Sequence, residues 1–322
     1  MRELTKTLKE ELDGLRGDYR NQLNSKGLVE CYNSKPTKEG LRPIEKMVNP
    51  FTSIAVDWPH PRVVFTDNYK FLLGKTGIYS INDEGNWTYL LKKSVAQGGR
   101  WSVATFNDYA VITNGVVAYT YYLKTGTLTE TNKAVVPLGN SYCNLRGQLI
   151  IGGVLGDWYG CDNSFVVWGD IGRLNCVPDH SNVAGNKPLG IGEVLEVLPI
   201  GSGVAVYGSD GVVILLPVSD PTTTFSTIEV TSTGICGKGA VGGDLDKHFF
   251  IGSDGKLWMV TGDGKCEELG YKEYLSELLG SDIVVSYDDS EGDYFISNGE
   301  VGYLFNWSGL CQTYQMPTCC FR

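Results

Sequence analysis

The chain has 322 residues, of which 20% are charged and 41 are glycine, and its formal net charge at pH 7 is −10. This acidic balance and the lack of basic blocks argue against a protein that holds nucleic acid by electrostatic wrapping. No stretch approaches the roughly 18 consecutive apolar residues of a membrane-spanning helix, so no membrane association is expected.

The first segment, residues 1–26, is predicted to be a helical docking segment. Residues 3–16 form an amphipathic pattern in which leucines recur at helical spacing and charged side chains occupy the opposite face. The leucines are Leu4, Leu8, Leu12 and Leu15. Because so short a helix is marginal alone, it needs a surface, which is either its own domain or a neighbouring subunit. The four leucines are therefore candidate partner contacts.

Residues 27–61 are predicted to form an extended arm. The segment is irregular and rich in proline, with Pro36, Pro43, Pro50, Pro59 and Pro61. A short strand over 28–31 is the candidate for closing the domain that follows, by pairing with its last sheet.

Residues 62–322 are predicted to form a β-propeller. Two short apolar strands joined by a glycine-containing turn recur about six times, at spacings of about 38 to 51 residues, which is typical of propeller blades. Asn-Gly and Asp-Gly turns between apolar runs are strong hairpin signals, since both central residues need a positive φ. The turn glycines of the regular copies are Gly77, Gly115, Gly211, Gly255 and Gly299. The predicted fold class is therefore all-β, a six-bladed propeller with an N-terminal amphipathic helix and an extended arm.

The third copy of the repeat is irregular. Its two strands flank a long connection, residues 152–164, in place of a tight turn. Trp158 and Tyr159 lie in this connection and Trp168 ends the strand after it. Packing between blades explains such aromatics, and so does a subunit interface, where aromatics are enriched. These three residues are the second set of candidate partner contacts.

One helix, over 271–279, is predicted to interrupt the ring between the fifth and sixth copies, with Tyr271, Tyr274, Leu275 and Leu278 on its inner face. Outer strands are expected after each regular hairpin, and the first of them covers 87–91.

The sequence offers no catalytic, cofactor or metal motif. The nine cysteines are scattered without a CxxC pair, which indicates neither a zinc site nor a disulfide framework and favours a reducing compartment. The three histidines have no metal-ligand spacing, and no phosphate-binding glycine loop stands between a strand and a helix. We therefore expect no enzyme, no cofactor and no metal, although a glycosidase-like pair of carboxylates stays open.

Several segments resemble propeller proteins of tailed-bacteriophage tails. The central one is Asn163–Gly172, in which a strand ends in Trp168 and Gly-Asp-Ile-Gly follows, with a loop over Asn182–Gly192 and a hairpin over Val197–Tyr207. Glu30–Asn33, Gly40–Pro43 and Asn49-Pro50 resemble the opening of such proteins. The resemblance covers most of residues 27–215, while the helical N-terminus and modest size depart from it.

The resemblance implies a structural virion protein: a tail hub, a nozzle or a head-to-tail connector. Such a protein would be made in the host cytoplasm and would form a ring of six or twelve copies in the virion tail. Its partners would be portal, adaptor or tail proteins, and DNA would pass through the ring without specific binding, which the acidic charge favours. The alternatives are a carbohydrate-binding or glycosidase-like propeller at the tail tip and a cytosolic interaction scaffold.

Overall fold

The computed structural model describes residues 31–44, 62–66, 68–74, 77–81, 86–91, 99–220, 223–280 and 282–314. The predicted docking helix, with Leu4, Leu8, Leu12 and Leu15, lies outside the described residues, as do residues 28–30 of the predicted closing strand.

The described part of the chain is all-β apart from one short helical segment. It contains six four-stranded antiparallel sheets and one two-stranded sheet. Within each four-stranded sheet the strands are neighbours in chain order. The strands are β1 Ser34–Thr37, β2 Gly40–Pro43, β3 Arg62–Phe65, β4 Lys70–Leu73, β5 Ile78–Ile81, β6 Trp87–Leu91, β7 Ser102–Thr105, β8 Tyr109–Thr113, β9 Ala118–Tyr122, β10 Thr127–Glu130, β11 Leu138–Leu145, β12 Gln148–Leu155, β13 Phe165–Trp168, β14 Gly185–Pro188, β15 Val194–Ile200, β16 Gly203–Gly208, β17 Val212–Asp220, β18 Thr223–Thr231, β19 Val241–Gly243, β20 Lys247–Ile251, β21 Leu257–Thr261, β22 Cys266–Gly270, β23 Val284–Asp288, β24 Asp293–Ser297, β25 Gly302–Asn306 and β26 Gly309–Thr313.

We number the four-stranded sheets 1 to 6 in chain order: β3–β6, β7–β10, β11–β14, β15–β18, β19–β22 and β23–β26. The first strands of neighbouring sheets contact one another: β7 contacts β11, β11 contacts β15, and β19 contacts β23. The first strands are therefore the central strands of the arrangement, and the fourth strands lie outside.

The second strand of each sheet is buried on both faces, which explains its nearly continuous apolar sequence. In sheet 2, Ala110 and Ile112 pack against sheet 1, whereas Val111 packs against sheet 3. In sheet 5, Phe250 packs against sheet 4 and Phe249 against sheet 6. Alternate side chains of one strand thus fill two separate interfaces, and the core is divided into layers between consecutive sheets.

The turn glycines serve two different purposes. Gly115, Gly255 and Gly299 have φ values of 85°, 79° and 90°, as the hairpin pattern predicts. Gly77 and Gly211 are not among the residues with positive φ, which corrects that expectation. A Cβ at Gly211 would lie 2.9 Å from the carbonyl oxygen of Thr231, and one at Gly77 would lie 2.5 Å from that of Leu91. At these two positions glycine is needed because the fourth strand passes close to the turn.

Sheet 3 confirms the irregular third copy and corrects one detail. Its second and third strands, β12 and β13, are joined by a connection that includes an isolated bridge between Trp158 and Cys161. The resemblance implied a loop over Asn182–Gly192, but Gly185–Pro188 forms the fourth strand of this sheet and pairs with β13. The register places Gly185 opposite Trp168, whose indole leaves no room for a Cβ there, since Trp168 Cζ2 would be 2.8 Å away.

The arm packs on the last sheet. The hairpin β1–β2 contacts β26, and a parallel bridge joins Tyr32 to Gln312. The backbone N–H of Asn33 donates to the carbonyl of Gln312 at 2.8 Å, and the N–H of Gln312 donates to the carbonyl of Cys31 at 2.8 Å. The arm thus extends sheet 6 beyond its outer strand.

The predicted helix between the fifth and sixth copies is present but shorter. It comprises α1, Lys272–Leu275, and one 3₁₀ turn, Ser276–Leu278. Leu275 and Leu278 are fully buried against sheets 5 and 6, as the apolar pattern predicts. No helix in the described residues is long and apolar enough to cross a membrane.

Candidate functional site

The three aromatic residues proposed as partner contacts differ in exposure. Tyr159 is 66% exposed, and its φ of 47° holds the turn at the tip of the β12–β13 connection. Trp158 and Trp168 are buried among core residues. Tyr159 is therefore the member of the set that a partner could reach directly. Trp158 packs edge-on against it with ring centroids 5.0 Å apart, whereas Trp168 belongs to a different core cluster.

Trp168 holds the outer part of sheet 3 against sheet 4. Its indole N–H donates to the carbonyl of Val183 at 2.9 Å, and its ring lies edge-on to Phe225 with centroids 5.1 Å apart. The hydrogen bond attaches the segment leading into β14, and the ring contact fills the interface between the two sheets. Both contacts are structural.

A second group of polar contacts holds the arm to sheet 6. The ammonium of Lys35 lies 2.9 Å from carboxylate oxygens of both Glu291 and Asp293. The Asp293 side chain is buried, and its other oxygen accepts a hydrogen bond from the amide of Asn306 at 3.1 Å. Burial lowers the pKa of Lys35, but hydrogen bonds and charge from the two carboxylates outweigh it, and the net pKa is raised.

Exposed aromatics accompany the arm. Tyr32 stacks on Tyr314 with ring centroids 6.2 Å apart, and both are exposed. Trp307 is exposed at the β25–β26 turn, and the ammonium of Lys247 lies 5.0 Å from its ring centroid. Aromatic side chains of this kind are enriched in protein interfaces. The outer edge of sheet 6 therefore offers both a fixed arm and apolar contact area.

Charged side chains meet at the centre of the arrangement, where no sequence motif pointed to a site. We call Arg62, Arg100, Glu196 and Lys238 the central cluster. Arg62 begins β3, Glu196 lies in β15, and Arg100 and Lys238 stand just before β7 and β19. Each position belongs to a first strand or to the residues leading into one.

Hydrogen bonds to the backbone of residues 100 and 101 bring Arg62 and Lys238 close to Arg100. Lys238 Nζ donates to the carbonyl of Arg100 at 2.9 Å, and Arg62 Nη1 donates to the carbonyl of Trp101 at 2.8 Å. The guanidinium of Arg100 packs over Gly239, where a Cβ would lie 2.7 Å from Arg100 Cζ. Gly239 also has a φ of 87°. Glycine is required here for both reasons, and it lets the arginine lie flat on the backbone.

Arg62, Arg100 and Lys238 are half-buried, and the charges of the central cluster act on one another. Burial lowers the pKa of Lys238 to about 8; the charge of Glu196 opposes the shift, and Arg62 and Arg100 add to it. Glu196 is only 6% exposed. Within the described residues, no hydrogen-bond partner reaches Glu196 Oε2 or Arg62 Nε. A buried acceptor and a buried donor are thus left for a bound group or for water.

The buried histidine between sheets 4 and 5 is a packing residue. His248 is fully enclosed, its Nδ1 lies 2.9 Å from the hydroxyl of Tyr207, and burial lowers its pKa to about 4. The imidazole is therefore neutral at physiological pH. Among the described residues, no group of three or more His, Cys, Asp or Glu side chains is placed to hold a metal ion.

The chain is similar to solved structures at the level of fold. A virginiamycin B lyase from Staphylococcus aureus is 10% identical with a TM-score of 0.52, and the match covers 83% of this chain and 90% of the lyase. A streptogramin B lyase is 8% identical with a TM-score of 0.51, over 82% and 86% of the two chains. The Pan2 WD40 domain of Neurospora crassa is 10% identical with a TM-score of 0.47, over 80% and 79%.

No protein-family model matches the chain, and no curated protein matches it. The similarity to the two lyases, at this low identity, concerns the fold alone. Together with the six sheets arranged in chain order, it confirms the sequence prediction of an all-β propeller.

Proposed function

We propose that this chain is a structural protein of a tailed-bacteriophage virion: a tail hub, nozzle or head-to-tail connector subunit built on a six-bladed propeller. Its role is mechanical and not enzymatic. Support comes from the resemblance of Asn163–Gly172 and the hairpin Val197–Tyr207 to phage tail propellers, together with the propeller fold.

The proposal of six blades rests on the contact at the centre. Lys238 leads into sheet 5, and the carbonyl that it binds belongs to Arg100, which leads into sheet 2. Sheets 2 and 5 are opposite one another in a closed ring of six. A contact between their lead-in segments is therefore what such a ring predicts, and it supports counting each four-stranded sheet as one blade.

The hydrogen bond between Lys238 and the carbonyl of Arg100 also indicates where DNA would pass. This 2.9 Å hydrogen bond joins the segments that lead into sheets 5 and 2. We infer that the DNA channel is the lumen between subunits and not the propeller's own centre. A ring of identical subunits uses head-to-tail contacts that close by rotation.

The observation that carries the proposal is the attachment of the arm. Cys31–Asn33 are held by backbone hydrogen bonds to Gln312, on the outer strand of sheet 6. Cys31, from which the chain leads back to the amphipathic segment, therefore lies at the outer edge of sheet 6. We propose that the leucines of residues 3–16 dock on a neighbour, which would be a second copy or a portal, adaptor or tail protein.

A truncation tests this proposal. Deleting residues 1–26 should leave a folded propeller, because the strands of all six four-stranded sheets and of the arm hairpin lie C-terminal to the deletion. The truncated chain should fail to enter virions when it replaces the full chain. The matched control replaces Lys6 and Lys9 by alanine, which alters the polar face, and it should be incorporated normally. Normal incorporation of the truncated chain would refute the docking segment.

A further inference from the structure

Two cysteines, Cys31 in the arm and Cys311 in β26, lie side by side where the arm joins sheet 6. A parallel bridge pairs Tyr32 with Gln312, which are the residues that follow the two cysteines in the chain. The N–H of Gln312 donates to the carbonyl of Cys31 at 2.8 Å. Neighbouring strands lie about 4.8 Å apart, and a disulfide spans about 4.4 to 6.8 Å between Cα atoms. The backbone therefore holds the two cysteines at a spacing that a disulfide can bridge.

The side chains of both cysteines lie on the same face of the bridge. Cys31 is 5% exposed and Cys311 is fully buried, and both belong to the apolar cluster between sheets 5 and 6. Both are free thiols. The thiol of Cys31 donates to the carbonyl of Ser34 at 3.3 Å, and a further hydrogen bond joins the side chains of Cys31 and Cys311. The two sulfur atoms are thus in direct contact within the core.

The contact makes the two thiols unequal in reactivity. The hydrogen bond between them lowers the pKa of Cys31, and it raises the pKa of Cys311 together with burial. The thiolate is the nucleophile in disulfide exchange, and the thiol that ionises more readily therefore attacks first. Cys31 is that thiol, and it is also the one of the pair that retains some exposure.

We propose that Cys31 and Cys311 form a disulfide bond that fastens the arm to sheet 6 when the chain meets oxidised glutathione or another small disulfide. The strands β1 to β25 lie between the two cysteines in the chain, so the bond closes a loop that contains nearly the whole described domain. Cross-links that close long loops restrict the unfolded chain most. The inference concerns the arm alone and does not depend on the proposed role in a virion.

The reaction is a two-step exchange. The Cys31 thiolate attacks one sulfur of oxidised glutathione, the S–S bond of glutathione breaks, and one glutathione thiolate leaves. The Cys311 thiolate then attacks the Cys31 sulfur of the mixed disulfide and displaces the second glutathione. The two protein thiols lose two electrons, and the two glutathione thiols take up these electrons and both protons. Because Cys311 is fully buried, the exchange proceeds while the arm is briefly detached from sheet 6.

The test begins with the purified full chain, kept native and incubated with oxidised glutathione at pH 8. The remaining thiols are blocked with iodoacetamide, and the digested chain is mapped by mass spectrometry. We expect a peptide containing Cys31 linked to one containing Cys311, and dithiothreitol should separate them. Hydrogen exchange at the amides of Asn33 and Gln312, which form the bridge, should be at least about tenfold slower in the oxidised chain.

Single substitutions separate this pair from general thiol oxidation. Cys31→Ser and Cys311→Ala should each abolish the linked peptide and the slower exchange at Asn33 and Gln312. The matched control is Cys143→Ala, which removes an equally buried cysteine from the cluster between sheets 3 and 4. This control should form the linked peptide as the wild type does. Circular dichroism checks that each variant is folded.

Three results would overturn the proposal. They are the absence of the linked peptide from the native wild-type chain, linkage of Cys31 to a different cysteine, and unchanged hydrogen exchange at Asn33 and Gln312 after oxidation. All three are measured on the wild type, so they decide the case even if Cys311→Ala fails to fold.

Discussion

At the residue scale, His248 couples the stability of the propeller to pH. Its pKa falls from 6.5 to about 4 because burial disfavours the charged imidazole. The unfolded chain therefore binds this proton at a higher pH than the folded chain does. The contribution of His248 to the free energy of unfolding is fully present above pH 6.5. It decreases as the pH falls toward 4, by about 3 kcal/mol in total.

The measurement is urea unfolding between pH 7 and pH 4 on the wild type and two variants. His248→Gln should lack this part of the pH dependence and show a shallower loss of stability. Tyr207→Phe removes the hydroxyl next to His248 Nδ1 but keeps the imidazole, so it should be less stable at every pH and retain a wild-type slope. An equal slope in His248→Gln and the wild type would contradict this coupling.

Two turn glycines give a second residue-scale prediction. Gly299 has a φ of 90° and open space where a Cβ would stand, whereas Gly211 lacks a positive φ and its Cβ would lie 2.9 Å from the carbonyl oxygen of Thr231. Asparagine tolerates the left-handed region better than alanine does. At Gly299, Asn should therefore cost less than Ala, which should cost about 1 to 2 kcal/mol.

At Gly211 the order should reverse, because the larger side chain of asparagine collides with the neighbouring strand while its tolerance of positive φ brings no benefit. Denaturant unfolding of the four single variants gives the comparison. The same order at both positions would show that one conformational requirement governs both turns.

At the scale of elements, the arm is held to sheet 6 by the ion pairs of Lys35. Lys35→Met leaves the buried carboxylate of Asp293 without its cation and should cost about 2 kcal/mol. Arg42→Met removes an exposed pair with Glu39 in the same arm and should cost less than about 0.5 kcal/mol. Chemical unfolding of both variants compares them, and equal losses would contradict a specific role for the Asp293 contact.

The elements also show what the sequence could and could not predict. The second and third strands are recognisable because they carry apolar runs next to turn residues. Outer strands are predicted from their position after each regular hairpin, and Trp87–Leu91 occurs as predicted. First strands such as Ser102–Thr105 and Val241–Gly243 are short and rich in small residues, since they pack closely at the centre, and their sequences carry no long apolar run. Gly185–Pro188 has no strand pattern at all and is held through its pairing with β13.

The central cluster could not be predicted from the sequence, for a different reason. Its members, Arg62, Arg100, Glu196 and Lys238, are separated by tens of residues and share no motif. Only the closing of sheets around a common centre brings them together. The exposed Tyr159, by contrast, was predictable, because it stands in the one connection that breaks the repeat.

At the scale of the whole molecule, the proposed subunit is a propeller whose arm is attached to the outer strand of its last sheet. Five apolar layers between consecutive sheets hold the described part together. The exposed aromatics Tyr32, Tyr314 and Trp307 lie with the arm on sheet 6, and Tyr159 lies on sheet 3. Two separated contact surfaces on one subunit are what a head-to-tail ring requires.

The measurement that tests the central claim most directly is quantitative mass spectrometry of purified tailed particles encoded by the same genome as this chain. We predict that the chain is part of the particle, at six or twelve copies for each portal ring, and that it remains after washing in high salt. Particles that lack the chain, or a chain found only in the lysate outside them, would contradict the proposed function.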